Sequence, residues 1–406
     1  MSSEDDLAKV RFGMTEVPKS GGQPGDYEER LSQWFLERSF FRDFTYRNPQ
    51  KKKGEELADA VVLFDDVALL VQVKAKCGNH EAKAWATEAI LKALKQVQTT
   101  HASLASGTIN TLANEVYGKL DFDPAQYPNM YGIIILAQEA EPFDPYDLVP
   151  EIKESVLPVF VFSLQDIKLL TDRFDTAADF IHFIELRTDI GTAGTTFRVN
   201  NEEQNLACMI DFAPQIYRLR MQPITPEVLA RTVEAFRRKA SGELVRSAEW
   251  RYGLAIDDMI ARAHNIDPDL PWNKGPAATA ADVARFLGWL SRDRRIRLGK
   301  RVLDACIKSE ATGNPEYFTH FQKSRGTVAV YLISGEARKD RLAHLQFLVT
   351  YAHFKYQVKQ SFGVATDSGV SGRSYDFILT RKQLQPENIE YLKTLPNPFA
   401  DDHSEL

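Results

Sequence analysis

Cysteine is scarce in this chain: three residues in 406, Cys77, Cys208 and Cys306, lie far apart and form no CxxC pair. So sparse and odd a set provides no disulfide framework and fits a reducing compartment. His80, His101 and His264 are equally isolated, with no Cys or His at ligand spacing, so zinc is not expected. Nor does any run approach the roughly 18 apolar residues that span a bilayer. The opening MSSEDDLAKV is acidic, with no apolar stretch behind it, unlike a secretory signal. A general excess of positive charge is also missing: the formal net charge is −6 and the pI about 5.9. Any contact with nucleic acid must therefore be confined to a local patch. There is no internal repeat. What remains is a globular composition, 44% hydrophobic and 26% charged, and the expectation of a soluble cytoplasmic protein with no membrane partner. The length exceeds one compact core of usual size and predicts two domains or three.

Residues 1–25 end in PKSGGQPGD, a Gly- and Pro-rich lead-in expected to be mobile. Next, YEERLSQWFLERSFF spaces Leu31, Trp34, Phe35 and Arg38 as a helix does and puts acids in the first turn. ELADAVVLFD and VALLVQVKAK follow as two strands joined at Asp65-Asp66, and a long helix is expected from Ala82 to Leu104. YGIIILA and PVFVFS are short apolar runs of the kind that form strands buried on both faces. Two capping boxes, Ser163 with Asp166 and Thr176 with Asp179, each open a helix. The order α-β-β-α-β-β-α predicts an α/β domain over residues 26–192. Polar, turn-rich residues 191–204 mark the boundary. A mainly helical region then leads into a small β-α-β-β unit, together a second domain over 205–394, with a loose tail at 395–406.

The strand VALLVQVKAK carries the chemistry. It begins as a core strand and then places Gln72, Lys74 and Lys76 at alternate positions, on one face of a sheet. If the turn sits on Asp65-Asp66, Phe64 faces Val67 and Asp59 lies across from Gln72, with Cβ atoms roughly 5 Å apart. Lys74 then occupies the diagonal position on the same face, roughly 7 to 8 Å from Asp59. A register slip of one residue would dissolve the arrangement. A carboxylate, an amide oxygen and an ammonium brought together in this way suit metal-assisted phosphodiester hydrolysis. Asp59, the Gln72 amide and the Val73 main-chain carbonyl are oxygen donors for Mg²⁺ or Mn²⁺, and Lys74 can orient or deprotonate the attacking water.

At these residues the chain resembles the PD-(D/E)XK, or restriction-endonuclease-like, nucleases. Their signature, an acid on one strand and acid-x-Lys on the next, appears as Asp59 followed by Gln72-Val73-Lys74. The Gln variant is similar to that of Mrr-type restriction endonucleases. GDYEERLSQWFLER resembles the opening of the first helix in that group, which implies that Glu28 supplies the helix acid, with Glu29 as the alternative one residue on. The resemblance also implies that Lys92 and Gln96, four apart on the following helix, face the site and contact substrate. It covers about residues 25–190, implies an α-β-β-α-β core and a Mg²⁺-dependent deoxyribonuclease, and by fold-level analogy points to bacterial defence. Two departures stand out: no Pro precedes Asp59, and Gln72 leaves the site one carboxylate short.

In the second half, residues 225–345 hold 21 Lys and Arg against 15 Asp and Glu. Arg294, Arg297 and Arg301 recur on one helical face, a candidate phosphate-binding surface. The C-terminal domain is thus expected to recognise substrate, a partner protein or a regulatory signal, and cutting both strands of a duplex would favour a homodimer. Two other readings compete with an enzyme: a nuclease fold that only grips nucleic acid, and a sensor or interaction protein acting through its C-terminal domain.

Overall fold

The computed structural model describes Pro18, residues 25–192 except 53–54, 77–80, 115–117 and 138–142, then 250–263, and 280–400 except 323–325, 370–373 and 382–383. The lead-in, nearly all of the expected boundary at 191–204, and the helix expected in TPEVLARTVEAFRRKASGELV lie outside these residues. The architecture is mixed α/β, and the chain divides into two compact units, one covering Phe12–Arg246 and the other running from Ser247 to Leu406. Among the described residues no helix is long and apolar enough to cross a membrane.

The first unit opens with α1 (Asp26–Phe40), whose acids Asp26, Glu28 and Glu29 occupy the first turn, where the helix dipole favours them. Its elements continue as β1 (Thr45–Arg47), β2 (Gln50–Lys52), β3 (Glu55–Glu56), β4 (Ala60–Phe64), β5 (Val67–Ala75), α2 (Ala82–Ala105), β6 (Thr111–Asn114), β7 (Gly118–Asp121), β8 (Asn129–Ala137), α3 (Pro145–Leu148), β9 (Val159–Ser163), α4 (Leu164–Arg173) and α5 (Ala177–Thr192). Five strands form one sheet in the order β1-β4-β5-β8-β9. β1, β4 and β5 pair antiparallel, whereas β5, β8 and β9 run parallel. The α-β-β-α-β-β-α order expected of this region is present, with β1, the β2–β3 and β6–β7 hairpins and the one-turn α3 added to it. Those additions are short, and strands such as QKK and EE carry no apolar alternation that would mark them.

Both faces of the sheet are covered. Val61, Leu63, Ala68, Leu70, Ile134, Leu136, Val159 and Val161 share a core cluster with Ala86, Ile90, Ala93, Leu94 and Val97 of α2. The other face receives α1 and the helices after β9: the Phe40 ring lies 6.2 Å from that of Phe64 and 5.1 Å from that of Phe180. α2 can approach only because position 132 is glycine. A Cβ there would come within 2.7 Å of Val97 Cγ1 and 2.9 Å of Val159 Cγ2. The first capping box forms, Ser163 and Asp166 exchanging main-chain and side-chain hydrogen bonds at the start of α4; before α5 the Thr176 hydroxyl accepts from the Asp179 main-chain N–H and donates to the Asp179 carboxylate.

The second unit contains α6 (Trp250–Ala263), α7 (Ala280–Gly288), α8 (Arg292–Thr312), β10 (Glu316–Gln322), β11 (Thr327–Ile333), α9 (Arg338–Tyr356), β12 (Gln360–Thr366), β13 (Tyr375–Thr380) and α10 (Pro386–Lys393). Its sheet has the order β10-β11-β12-β13, with a parallel β11–β12 pair between two antiparallel ones. The expected β-α-β-β unit therefore gains a strand, β10. Its sequence EYFTHFQ hides it, because His320, only 2% exposed, and buried Thr319 and Gln322 interrupt the apolar pattern. Residues 395–400, expected to begin a loose tail, instead carry Phe399, which is 3% exposed and packs with Leu345, Leu348 and Tyr351. Burying that ring stabilises the segment by about 1.5 to 3 kcal/mol.

Candidate functional site

The hairpin fixes the site. Phe64 pairs with Val67 and Ala60 with Val71, so Asp59, one residue before β4, falls opposite Gln72. Asp65 makes the turn in the left-handed region, φ +58°, which Asp tolerates better than most residues. The segment before Asp59 is tied at three points. Leu57 N–H donates to Pro49 O at 2.7 Å, Asn48 N–H donates to Asp59 O at 3.1 Å, and the Thr100 hydroxyl of α2 donates to Leu57 O at 2.5 Å.

Three oxygens surround the Lys74 ammonium. Nζ donates to Val73 O at 3.0 Å and to Gln72 Oε1 at 3.3 Å, and lies 3.8 Å from Asp59 Oδ2. That same Oδ2 accepts the Val73 main-chain N–H at 2.5 Å. Gln72 is buried, and the side chains of Asp59 and Lys74 are only 12% and 16% exposed. Burial accordingly sets both protonation equilibria. It holds the Asp59 carboxyl above the usual carboxylate range, the Lys74 ammonium and the Val73 N–H opposing it only in part. It pulls Lys74 below the usual lysine range, against the opposing attraction of Asp59; Lys92 reinforces the downward shift and Glu29 resists it.

α1 and α2 complete the surroundings. Glu29 acts on Lys74 through space, while Glu28 lines a cavity with Tyr27, Phe35 and Ala137. Successive helical residues differ by 100° in direction, so the tilt of α1 against the sheet decides which acid meets the lysine. Lys92 is exposed on α2 and close enough to affect Lys74. Gln96, one turn on, has a buried side-chain oxygen with no hydrogen-bond partner among the described residues. The cavity, its Leu164 and Gln165 walls included, has no signature in the sequence, because helices distant in the chain form it.

Arg294, Arg297 and Arg301 lie along α8 in the second unit. Arg297 pairs with Asp293 at 2.5 Å, and Arg301 stacks 4.1 Å from the Phe318 ring centre and donates to Thr319 O at 3.3 Å. Burial, followed by the charges of Arg294, Arg301 and Arg297, pushes His320 down to about 4, so its ring is neutral at physiological pH. The three arginines thus share a neighbourhood, and two of them are engaged within the unit.

No protein-family model matches the chain, and neither a curated protein nor a solved structure does.

Proposed function

We propose that the chain is a metal-dependent nuclease of the restriction-endonuclease-like kind, hydrolysing phosphodiester bonds with DNA as the favoured substrate. The observation that carries this reading is the ring of oxygens from Asp59, Gln72 and Val73 around the Lys74 ammonium, at the carboxyl end of β5. A cation already sits among these oxygens, and they match the carboxylate, amide and carbonyl donors that hard divalent ions take. The donor set therefore fits Mg²⁺ or Mn²⁺ held by Asp59, Gln72 and the Val73 carbonyl. When bound, the ion would polarise the phosphate and lower the pKa of water. The sequence resemblance and the order α1, β4, β5, α2, β8 lend further support.

In hydrolysis a water oxygen forms a bond to phosphorus, the bond to the leaving ester oxygen breaks, and that oxygen takes up a proton. Burial of Lys74 serves the first step, since a lysine pulled below its usual range gives up its proton more readily and can take one from water. In its charged form the same group offsets negative charge building on the phosphoryl oxygens. Asp59 holds the Lys74 ammonium and the Val73 N–H and so keeps the strand end in place. Lys92 adds positive charge beside the phosphate path.

The test is incubation of plasmid, linear DNA and RNA with the purified full chain in Mg²⁺, Mn²⁺ or EDTA, beside Lys74→Ala. Cleavage that needs metal and vanishes in the variant supports the reading. Metal-independent cleavage, or cleavage retained by Lys74→Ala, would sink it; binding of nucleic acid without cleavage would leave a protein that only grips its ligand.

A further inference from the structure

α8 carries Arg294, Arg297 and Arg301 along one face, and Arg301 lies against β10, an edge strand of the second sheet. Among the residues of β10 is His320, 2% exposed, with neither ring nitrogen hydrogen-bonded among the described residues. We propose that this is a phosphate-binding site, in which the three guanidinium groups hold the outer oxygens of a phosphoryl group and the His320 ring donates to an inner one. The site belongs to the second unit alone and does not depend on the nuclease reading of the Asp59–Lys74 cluster.

Strand alternation accounts for the placement. Phe318, His320 and Gln322 point to the same face of β10, and that face meets the helices: the Arg301 guanidinium lies 4.1 Å from the Phe318 ring centre, and Gln322 donates to Phe286 O of α7 at 3.2 Å. Arg301 also donates to Thr319 O at 3.3 Å, so its guanidinium is seated on the two residues that precede His320. Arg297 and Arg294 stand about one and two turns earlier on the same helical face, within roughly 10 Å along the axis. All three act on His320: burial first, and then the charges of Arg294, Arg301 and Arg297, push it down to about 4. Among the described residues no acid offsets them there.

A purely structural histidine explains less. Buried polar groups are nearly always hydrogen-bonded, and Gln322, two residues on, satisfies its amide N–H with a carbonyl and leaves only its oxygen unmet. His320 leaves both a donor and an acceptor unmet beside three cations. An anion answers both features: it accepts from the ring, and it relieves the mutual repulsion of the arginines. Phosphate suits the place better than a carboxylate, because guanidinium forks engage phosphoryl oxygens in pairs and a tetrahedral group offers oxygens to several donors at once. The arginines can close on such a ligand. Arg294 is exposed, and Arg297 is held by an exposed pair with Asp293, a kind of contact that contributes little and exchanges readily. The phosphoryl group can be carried by nucleic acid or by a free nucleotide, which present the same oxygens.

The experiment is arginine labelling of the full chain with phenylglyoxal, read position by position by mass spectrometry, in EDTA so that no metal-dependent cleavage intervenes. The probes are inorganic phosphate, deoxyadenosine monophosphate and a short DNA duplex, with chloride at matched ionic strength as the control. Saturating probe is expected to slow labelling of Arg294 and Arg297 by about fivefold or more, and chloride by less than about twofold. Affinity for inorganic phosphate, read from protection of Arg297, should fall by about tenfold in His320→Leu and by about tenfold in Arg294→Gln, since each removes a hydrogen bond to a charged group. Arg294→Gln changes an exposed position and keeps the test decisive should His320→Leu lower the melting temperature. Protection by the duplex at phosphate concentrations where the mononucleotide gives none supports the site and names nucleic acid as the source; equal protection by the mononucleotide and inorganic phosphate supports it and names a free phosphate compound. Absence of protection by every probe, protection matched by chloride, or phosphate affinity unchanged in the folded variants would overturn the site.

Discussion

The two units contain the same local path, an antiparallel hairpin followed by a helix that crosses to a parallel strand: β4-β5-α2-β8 in the first and β10-β11-α9-β12 in the second. They finish that path differently. β5 is buried along seven residues and then partly opens at Lys74 and Ala75, whereas β11 is buried throughout. Near the corresponding end of β11 the charges are matched in tight pairs: Asp376 binds Arg338 at 2.6 Å and Arg341 at 3.0 Å. Across its other face, Asp257 binds Arg292 and Arg295, each at 2.7 Å. Lys74 and Asp59, at 3.8 Å, are by contrast loosely paired and shifted by burial. Backbone topology alone therefore makes no site. The difference lies in how buried charge is paired: at 3.0 Å or less in the second unit, and at 3.8 Å with both groups shifted by burial at Asp59 and Lys74.

The widest separation between the units is expected from Lys74→Ala, which should lower metal-dependent cleavage by about 10⁴-fold, on the order of 5 kcal/mol in the barrier, with little change in melting temperature. In the wild type, cleavage should rise with pH and level off at a midpoint below the ordinary 10.5 of lysine, as the buried ammonium loses its proton; a pH–rate profile of kcat/KM reads this out. In the second unit the same kind of change should strike stability instead. Asp257→Asn leaves the fully buried Arg295 without its carboxylate and should destabilise by about 3 to 5 kcal/mol in chemical denaturation, with the cleavage chemistry unaffected.

Gly299→Ala comes next: its Cβ would collide with the Tyr252 carbonyl oxygen where α6 and α8 cross, so a loss of about 1 to 3 kcal/mol is expected in the same measurement. Smallest, and opposite in sign, is Asp59→Asn with Lys74→Met. Asp59 is raised above 3.8, so its ionised form weighs on stability increasingly as pH rises from 3.8 through its folded pKa. Lys74 is lowered below 10.5, so its charged form weighs on stability as pH falls from 10.5 through its folded pKa. Between these windows both burdens are present. Removing both groups should therefore stabilise the inactive protein by about 1 kcal/mol near neutral pH; a lower melting temperature would mean that the pair is structural, like those of the second unit.

Much of the hairpin is legible in local sequence pattern. A period of two and a turn at Asp65-Asp66 are enough to set Asp59 against Gln72, and short polar side chains at Ser163 and Thr176 mark helix starts through local hydrogen bonds. These are near-neighbour effects, in which the chain chooses its conformation within a few residues. Strand β10 is not legible in that way, because His320 and Gln322 look solvent-facing in sequence. Only packing against α7 and α8, with Gln322 donating to Phe286 O of α7 at 3.2 Å and the His320 ring held neutral beside the arginines of α8, makes them interior.

The sequence by itself thus determined the register that brings a carboxylate, an amide and an ammonium to one end of a strand. Tertiary structure decided the rest. It chose Glu29 over Glu28 as the acid near Lys74, since that depends on how α1 tilts against the sheet. It also joined Tyr27, Ala137 and Leu164 into one cavity and buried Asp59 and Lys74 deeply enough to move their protonation. Burial and the meeting of distant segments are properties of the packed whole, and no local pattern encodes them.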